Sequence, residues 1–184
     1  MATLAEEYNE WNTPIVGAYL LWRFASEYVE CHPGHQAPSF LHLCIVSVLL
    51  RWSVYSNEIP HAKSLHAYAA RFIKKDKDVG ATKGNGKRKE KEYNADRLEA
   101  IHYKIKELLP FTLKSVNMAV SRKLLVWDVD NARLEPLKIG KLKPGTSLLS
   151  KTSVQKLGNH AATLAKWMAS LELSTIAFDL GVKF

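Results

Sequence analysis

The sequence predicts a mainly α protein: a helical domain with a small β-hairpin and a winged-helix-like second half. Three observations predict this. Apolar residues recur at helical spacing through most of the 184 residues. One short alternating run, Leu125-Val126-Trp127-Asp128-Val129, leads into the turn residues Asp130 and Asn131. No alternation of strands and helices of the kind that builds a doubly wound sheet is present. Residues 1–184 are expected to form one domain, with a helical N-terminal part (1–73), a flexible basic loop (74–92), and a winged-helix-like part with a long C-terminal helix (93–184).

Thr13-Pro14 reads as a helix start, because proline at the first helical position has no N–H to leave unsatisfied. The helix that follows is apolar around most of its circumference, with one polar stripe of Arg23, Glu27 and Glu30, and stops at His32-Pro33-Gly34. A second helix is expected over 40–55, beginning near Pro38-Ser39; up to Leu50 its only polar side chains are His42 and Ser47, which makes it the central core helix. A third, over 61–73, puts Ala62, Leu65, Ala69, Phe72 and Ile73 on one face.

Asn94 is expected to cap a fourth helix with an apolar face of Leu98, Ile101, Ile105 and Leu108. Pro110 ends it and opens a fifth, with Leu113, Val116, Val120 and Leu124 inward and Lys114, Asn117, Ser121 and Arg122 outward. The alternating run and a second strand over 134–139 then form a hairpin. Helix, helix, strand, turn, strand is the order of the second half of a winged helix. After a Gly/Pro/Lys connector over 140–150, the last helix is expected over 152–171. Its apolar positions, Val154, Leu157, Ala161, Leu164, Met168 and Leu171, are spaced 3, 4, 3, 4, 3, the seam of a helix lying lengthwise on another.

Composition narrows the function. At 47% hydrophobic and 24% charged residues the chain has material for a core. The longest near-continuous apolar run, over 40–50, falls short of a membrane span. Glu6, Glu7 and Glu10 with no early lysine or arginine do not make a signal peptide. With only Cys31 and Cys44, a cytoplasmic protein without a disulfide framework is expected. Of the net charge of +8, six units fall between residues 71 and 91, where nine basic residues meet three acids. Such a segment is either a phosphate-binding footprint or a solvated loop.

The candidate chemistries fail one by one. Cys31, His32, His35, His42 and Cys44 lack zinc-site spacing. The Gly80 to Arg88 stretch has one residue too many between its glycines for a P-loop and carries Arg88 where a magnesium-binding hydroxyl belongs. Asp128 and Asp130 suggest an aspartyl phosphoryl-transfer site, but without the α/β sheet that such a site needs, turn carboxylates explain them. Serine-nucleophile and zinc-protease motifs are absent. The expectation is a non-enzyme with no cofactor and no metal. Five tryptophans favour large buried contacts, in a core or with partners.

Two segments carry a resemblance. Asn12-Thr13-Pro14 with its following apolar run to Trp22, and Leu157-Gly158 through Trp167 with the closing Ser174-Thr175-Ile176-Ala177-Phe178-Asp179-Leu180-Gly181-Val182, resemble the small middle components of three-component ABC systems, notably those of Lamassu-type anti-phage defence. The terminal Lys183-Phe184 departs from the pattern, where a basic residue followed by proline is expected.

The resemblance implies an accessory subunit that bridges a structural-maintenance-of-chromosomes-like (SMC-like) ABC ATPase and an effector subunit, often a nuclease. Double-stranded DNA is a further candidate partner. The candidate partner-interface residues are Trp11, Tyr19, Trp22, Leu164, Trp167, Met168 and Phe178. The candidate nucleic-acid-binding residues are Lys74, Lys75, Lys83, Lys87, Arg88, Lys89, Lys91, Lys114 and Arg122. The alternative is a stand-alone winged-helix DNA-binding regulator.

Overall fold

In the computed structural model, which describes residues 13–74, 88–138 and 152–183, the chain is mainly helical with one two-stranded antiparallel sheet. The helices are α1 (Pro14–Cys31), α2 (Phe40–Arg51), α3 (Ser53–Ser56), α4 (Leu65–Lys74), α5 (Arg88–Ser121), α6 (Thr152–Met168) and α7 (Leu173–Asp179), with a 3-10 turn at Ile59–His61. The strands are β1 (Leu125–Asp128) and β2 (Arg133–Pro136).

Helix α1 begins where Thr13 is extended and Pro14 takes the first helical position. It buries Val16, Leu20, Leu21, Phe24, Ala25 and Tyr28, packing chiefly against α6 and α5. Its polar stripe becomes a small ion network, with Glu27 3.2 Å from Arg23 and 3.3 Å from Lys166 of α6. Every residue of α2 from His42 to Leu50 is buried, as expected of a central helix. The heptad seam of α6 lies along α1, with Val154, Leu157, Ala161, Leu164 and Met168 all buried.

Several expected boundaries move. The second helix does not run to Tyr55: it breaks at Trp52, which is extended, and the chain bends by 89° into the following short helices. The bend carries Tyr55 and Ile59 into the core, and the buried Tyr68 hydroxyl donates to the Tyr55 carbonyl at 3.2 Å. The third helix starts at Leu65, after the 3-10 turn, and the last ends at Met168, with a turn before α7. The second strand ends at Pro136.

The largest correction concerns Pro110. The two helices expected on either side of it are one helix of 34 residues, about 50 Å long at 1.5 Å per residue. Proline removes one backbone bond and normally breaks a helix interior. Here Pro110 is exposed, where water can satisfy the freed carbonyl, while Ile101, Thr112, Ser115, Val116 and Ala119 continue a buried stripe past it. The faces expected of its second half largely hold, with Val116 buried and Lys114, Asn117, Ser121 and Arg122 exposed; Val120, expected inward, is 36% exposed, and Ser115 is buried. The helix pair on which the winged-helix reading rested is therefore a single rod. Asn94 lies inside it, and residues 88–92, expected as loop, are its first turns.

The hairpin itself forms as expected, with Val126 opposite Glu135 and Asp128 opposite Arg133. Buried Leu125 and Leu134 hold it to the core. It is tied to the link between α1 and α2: the Phe40 N–H donates to the Ala132 carbonyl and the Leu134 N–H to the Pro38 carbonyl, both at 3.0 Å. Trp127 stacks on Phe40.

Candidate functional site

The aromatic and apolar residues expected to face partners divide into three groups. Leu164 and Met168 are fully buried in the core of the chain itself and offer no surface to a partner. The reason is the α1–α6 seam, which uses the very residues whose spacing suggested an external helix. Tyr19, Trp22 and Trp167 are half-buried and pack against the core: Tyr19 touches Gly158, the Trp22 indole N–H donates to the Leu137 carbonyl at 3.2 Å, and Trp167 lies beside Tyr68. Phe178 is 86% exposed. Trp11 lies outside the described residues.

The backbone around Phe178 is closely held. The Val182 N–H bonds the Ala177 carbonyl at 2.8 Å and the Gly181 N–H bonds the Phe178 carbonyl at 3.2 Å, with Gly181 at φ 66°. This is the two-bond left-handed helix cap for which glycine is favoured. It gives the Leu180-Gly181-Val182 run a structural purpose: Leu180 and Val182 are buried while Gly181 turns the chain beside the Leu98 backbone. On the other side, Asp179 Oδ1 lies 3.3 Å from His66 Nδ1 of α4. Phe178 therefore projects from the last turn of a short helix whose C-terminal end is held by the cap and by the His66–Asp179 contact.

The candidate nucleic-acid residues are dispersed. Lys74 ends α4, and Arg88, Lys89 and Lys91 lie in the first turns of α5. Lys114 is exposed in the second half of α5, and Arg122 is exposed just beyond its end, two turns on. Lys75, Lys83 and Lys87 lie outside the described residues, as does the near-P-loop stretch up to Lys87.

No group of three or more metal-ligating side chains occurs among the described residues. The local reason is visible in the histidines: His32 Nδ1 accepts the Gly34 N–H at 3.1 Å, and His42 Nδ1 accepts from Ser39. The Cys44 thiol is pushed up to about 12 by burial, which keeps it protonated. Asp128 is used structurally, accepting from the Asn131 N–H at 3.2 Å and from Asn131 Nδ2 at 2.8 Å; these bonds hold its carboxyl below the usual range. That is the turn role expected of it.

A cleft of about 430 Å³ with mixed polar and apolar walls lies where the α1–α2 link, the start of β2 and the α6–α7 turn meet. Tyr28, His32, Ser39, His42, Arg133 and Glu172 are among its walls. The Tyr28 ring stacks on His32 and meets His42 edge-on. Arg133 is half-buried and donates from Nη1 to the Ala37 carbonyl at 2.8 Å. In sequence His32 marks a helix stop and His42 a polar position in the central helix, and both have poor zinc spacing; Arg133, nearly a hundred residues away, carries no local signal that joins it to them.

No single helix among the described residues is long and apolar enough to cross a membrane. A bent pair of helices, Phe40–Arg51 with Ser53–His61, passes on length and composition, but residues 42–50 of α2 are buried in protein. A family model described as "MC3: ABC-three component (ABC-3C) system Middle Component 3" matches residues 1–184. No curated protein and no solved structure gives a significant match.

Proposed function

Because this chain belongs to the middle component 3 family of ABC-three-component systems, we propose that it is a non-catalytic accessory subunit that joins an SMC-like ABC ATPase to an effector subunit, a nuclease, in a Lamassu-type anti-phage and anti-plasmid complex of the cytoplasm. Membership in a multi-component system implies partner subunits. The observation that carries the bridging role is Phe178: a large aromatic side chain, 86% exposed, on a helix anchored by its cap and by the His66–Asp179 contact. Rigid aromatic anchors of this kind lose little side-chain freedom on docking and dominate interface energies.

Tyr19, Trp22 and Trp167, half-buried and packed against the core, offer less free surface than Phe178. Double-stranded DNA would meet the exposed Lys114 and Arg122, with Arg88, Lys89 and Lys91 adding charge along the same helix. The stand-alone regulator finds no support in the structure, since the helix pair it needs is one continuous helix.

The test is co-expression of the chain with the products of its flanking genes, followed by affinity capture and mass spectrometry. Stoichiometric recovery of an ATPase with long coiled-coil arms and of a nuclease subunit, with no nuclease or ATPase activity in the isolated chain, is the expected result. Recovery of the chain alone as a monodisperse monomer while both neighbours are expressed and soluble overturns the proposal.

A further inference from the structure

We propose that the cleft between the α1–α2 link, the hairpin and the α6–α7 turn binds a carboxylate group, gripped by the Arg133 guanidinium and the Tyr28 hydroxyl. A guanidinium has five N–H donors in a planar fork that matches a carboxylate. In Arg133 one donor is fixed on the Ala37 carbonyl at 2.8 Å, and its backbone bridges to Ser39, so the fork is held in place. Among the described residues no carboxylate lies within ion-pair distance of it. Its cross-strand neighbour Asp128 has both oxygens on Asn131 instead. A half-buried cation with most of its donors unmet is an incomplete arrangement, and an anion completes it.

The rest of the wall points the same way. Tyr28 is 4% exposed, and its hydroxyl makes no hydrogen bond to the described protein. The Arg133 charge acts on that phenol and on His42, while burial keeps the phenol protonated and therefore a donor. His42 is 6% exposed; its Nδ1 accepts the Ser39 N–H at 3.3 Å and lies 2.8 Å from Ser39 Oγ, which places the ring proton on Nε2. That Nε2 has no acceptor among the described residues. An unpaired buried donor is unfavourable, and the His42 ring is part of the cleft wall.

The charge balance selects among anions. Glu172 also lines the cleft and opposes a second negative charge, so a monoanionic carboxylate fits better than a phosphate dianion. A space of about 430 Å³ suits an acidic side chain of a partner subunit or a small free carboxylic acid.

The full-length chain, isotopically labelled, is titrated by NMR with four probes: N-acetyl-glutamate N-methylamide, propionate, the uncharged N-acetyl-glutamine N-methylamide and inorganic phosphate. Saturable shifts of the His42 ring and the Arg133 side chain are expected with both carboxylates at about 10 mM or below, and none with the glutamine amide. Tighter binding of the glutamate amide identifies a partner's acidic side chain as the source; tighter binding of propionate identifies a free acid.

Tyr28→Phe, which keeps the buried ring, is expected to weaken binding about threefold to tenfold with an unchanged melting temperature. Arg133→Lys, which keeps the charge and loses the fork, is expected to weaken it about tenfold or more. The proposal is overturned by the absence of saturable shifts, by an equal response to the glutamine amide, by phosphate binding tighter than either carboxylate, or by wild-type affinity in both variants.

Discussion

Gly17 of α1 lies directly against Ser115 of α5. A Cβ on Gly17 would overlap the Ser115 hydroxyl, approach the Ser115 Cβ to 2.9 Å and meet Phe111 Cε1 at 3.1 Å. The Ser115 Oγ is itself buried without a hydrogen-bond partner among the described residues. The two helices thus meet with almost no side chain between them, just past Pro110.

Gly17→Ala tests that contact. Alanine favours a helix by about 1 kcal/mol over glycine, but overpacking against the neighbouring helix costs about 1–3 kcal/mol. Net destabilisation is expected, read as a lower urea midpoint, with partial recovery in Gly17→Ala/Ser115→Gly. A Gly17→Ala variant more stable than the wild type would show that the helices can separate cheaply.

Pro110→Ala addresses the same rod from its solvent side. Pro110 is exposed within the helix, so alanine restores a backbone bond without disturbing packing. Stabilisation of about 1–3 kcal/mol is expected, seen as a higher melting temperature. No gain would mean that the helix is already bent or opened there in solution.

Phe178→Asp and Leu164→Ala separate surface from core. Phe178 is 86% exposed, so Phe178→Asp should change stability by no more than about 0.5 kcal/mol while abolishing co-purification with a partner subunit. Leu164 is fully buried, so Leu164→Ala should cost about 2–5 kcal/mol. A strong loss of stability in the first variant, or retained partner binding, would remove Phe178 as the docking anchor.

Acid should destabilise the fold through His42. Burial first, then the Arg133 and His32 charges, push its imidazole down from the usual 6.5 to about 4. Between these values the unfolded chain binds a proton that the folded chain refuses, so stability is full above about pH 6.5 and falls as the pH drops toward 4. The loss attributable to His42 is about 3 kcal/mol over that range. Urea titrations at stepped pH should show a steeper decline in the wild type than in His42→Gln; equal slopes would place His42 in a solvated setting.

Much of the fold is legible because it is local. Pro14 after an extended Thr13, the breaker at His32-Pro33-Gly34, and the alternation before Asp130-Asn131 each mark a boundary within a few residues of chain. The break at Trp52 has no comparable mark, because it follows from turning Tyr55 and Ile59 into the core. The cleft is equally silent in sequence: Tyr28, His42, Arg133 and Glu172 come from three distant stretches, joined only when the hairpin docks on the α1–α2 link.

Periodicity and composition suffice to establish a helical protein with a hairpin, the apolar face of each helix, and two terminal segments resembling a middle component of an ABC system. They state which faces avoid water, but a hydrophobic stripe reads the same whether its own chain or another covers it. Packing resolved that ambiguity: Leu164 and Met168 are sealed against α1, whereas Phe178 is left outside by the cap at Gly181. Packing also overrode the local preference of Pro110, since one lost backbone bond weighs less than a buried stripe that continues on both sides of it.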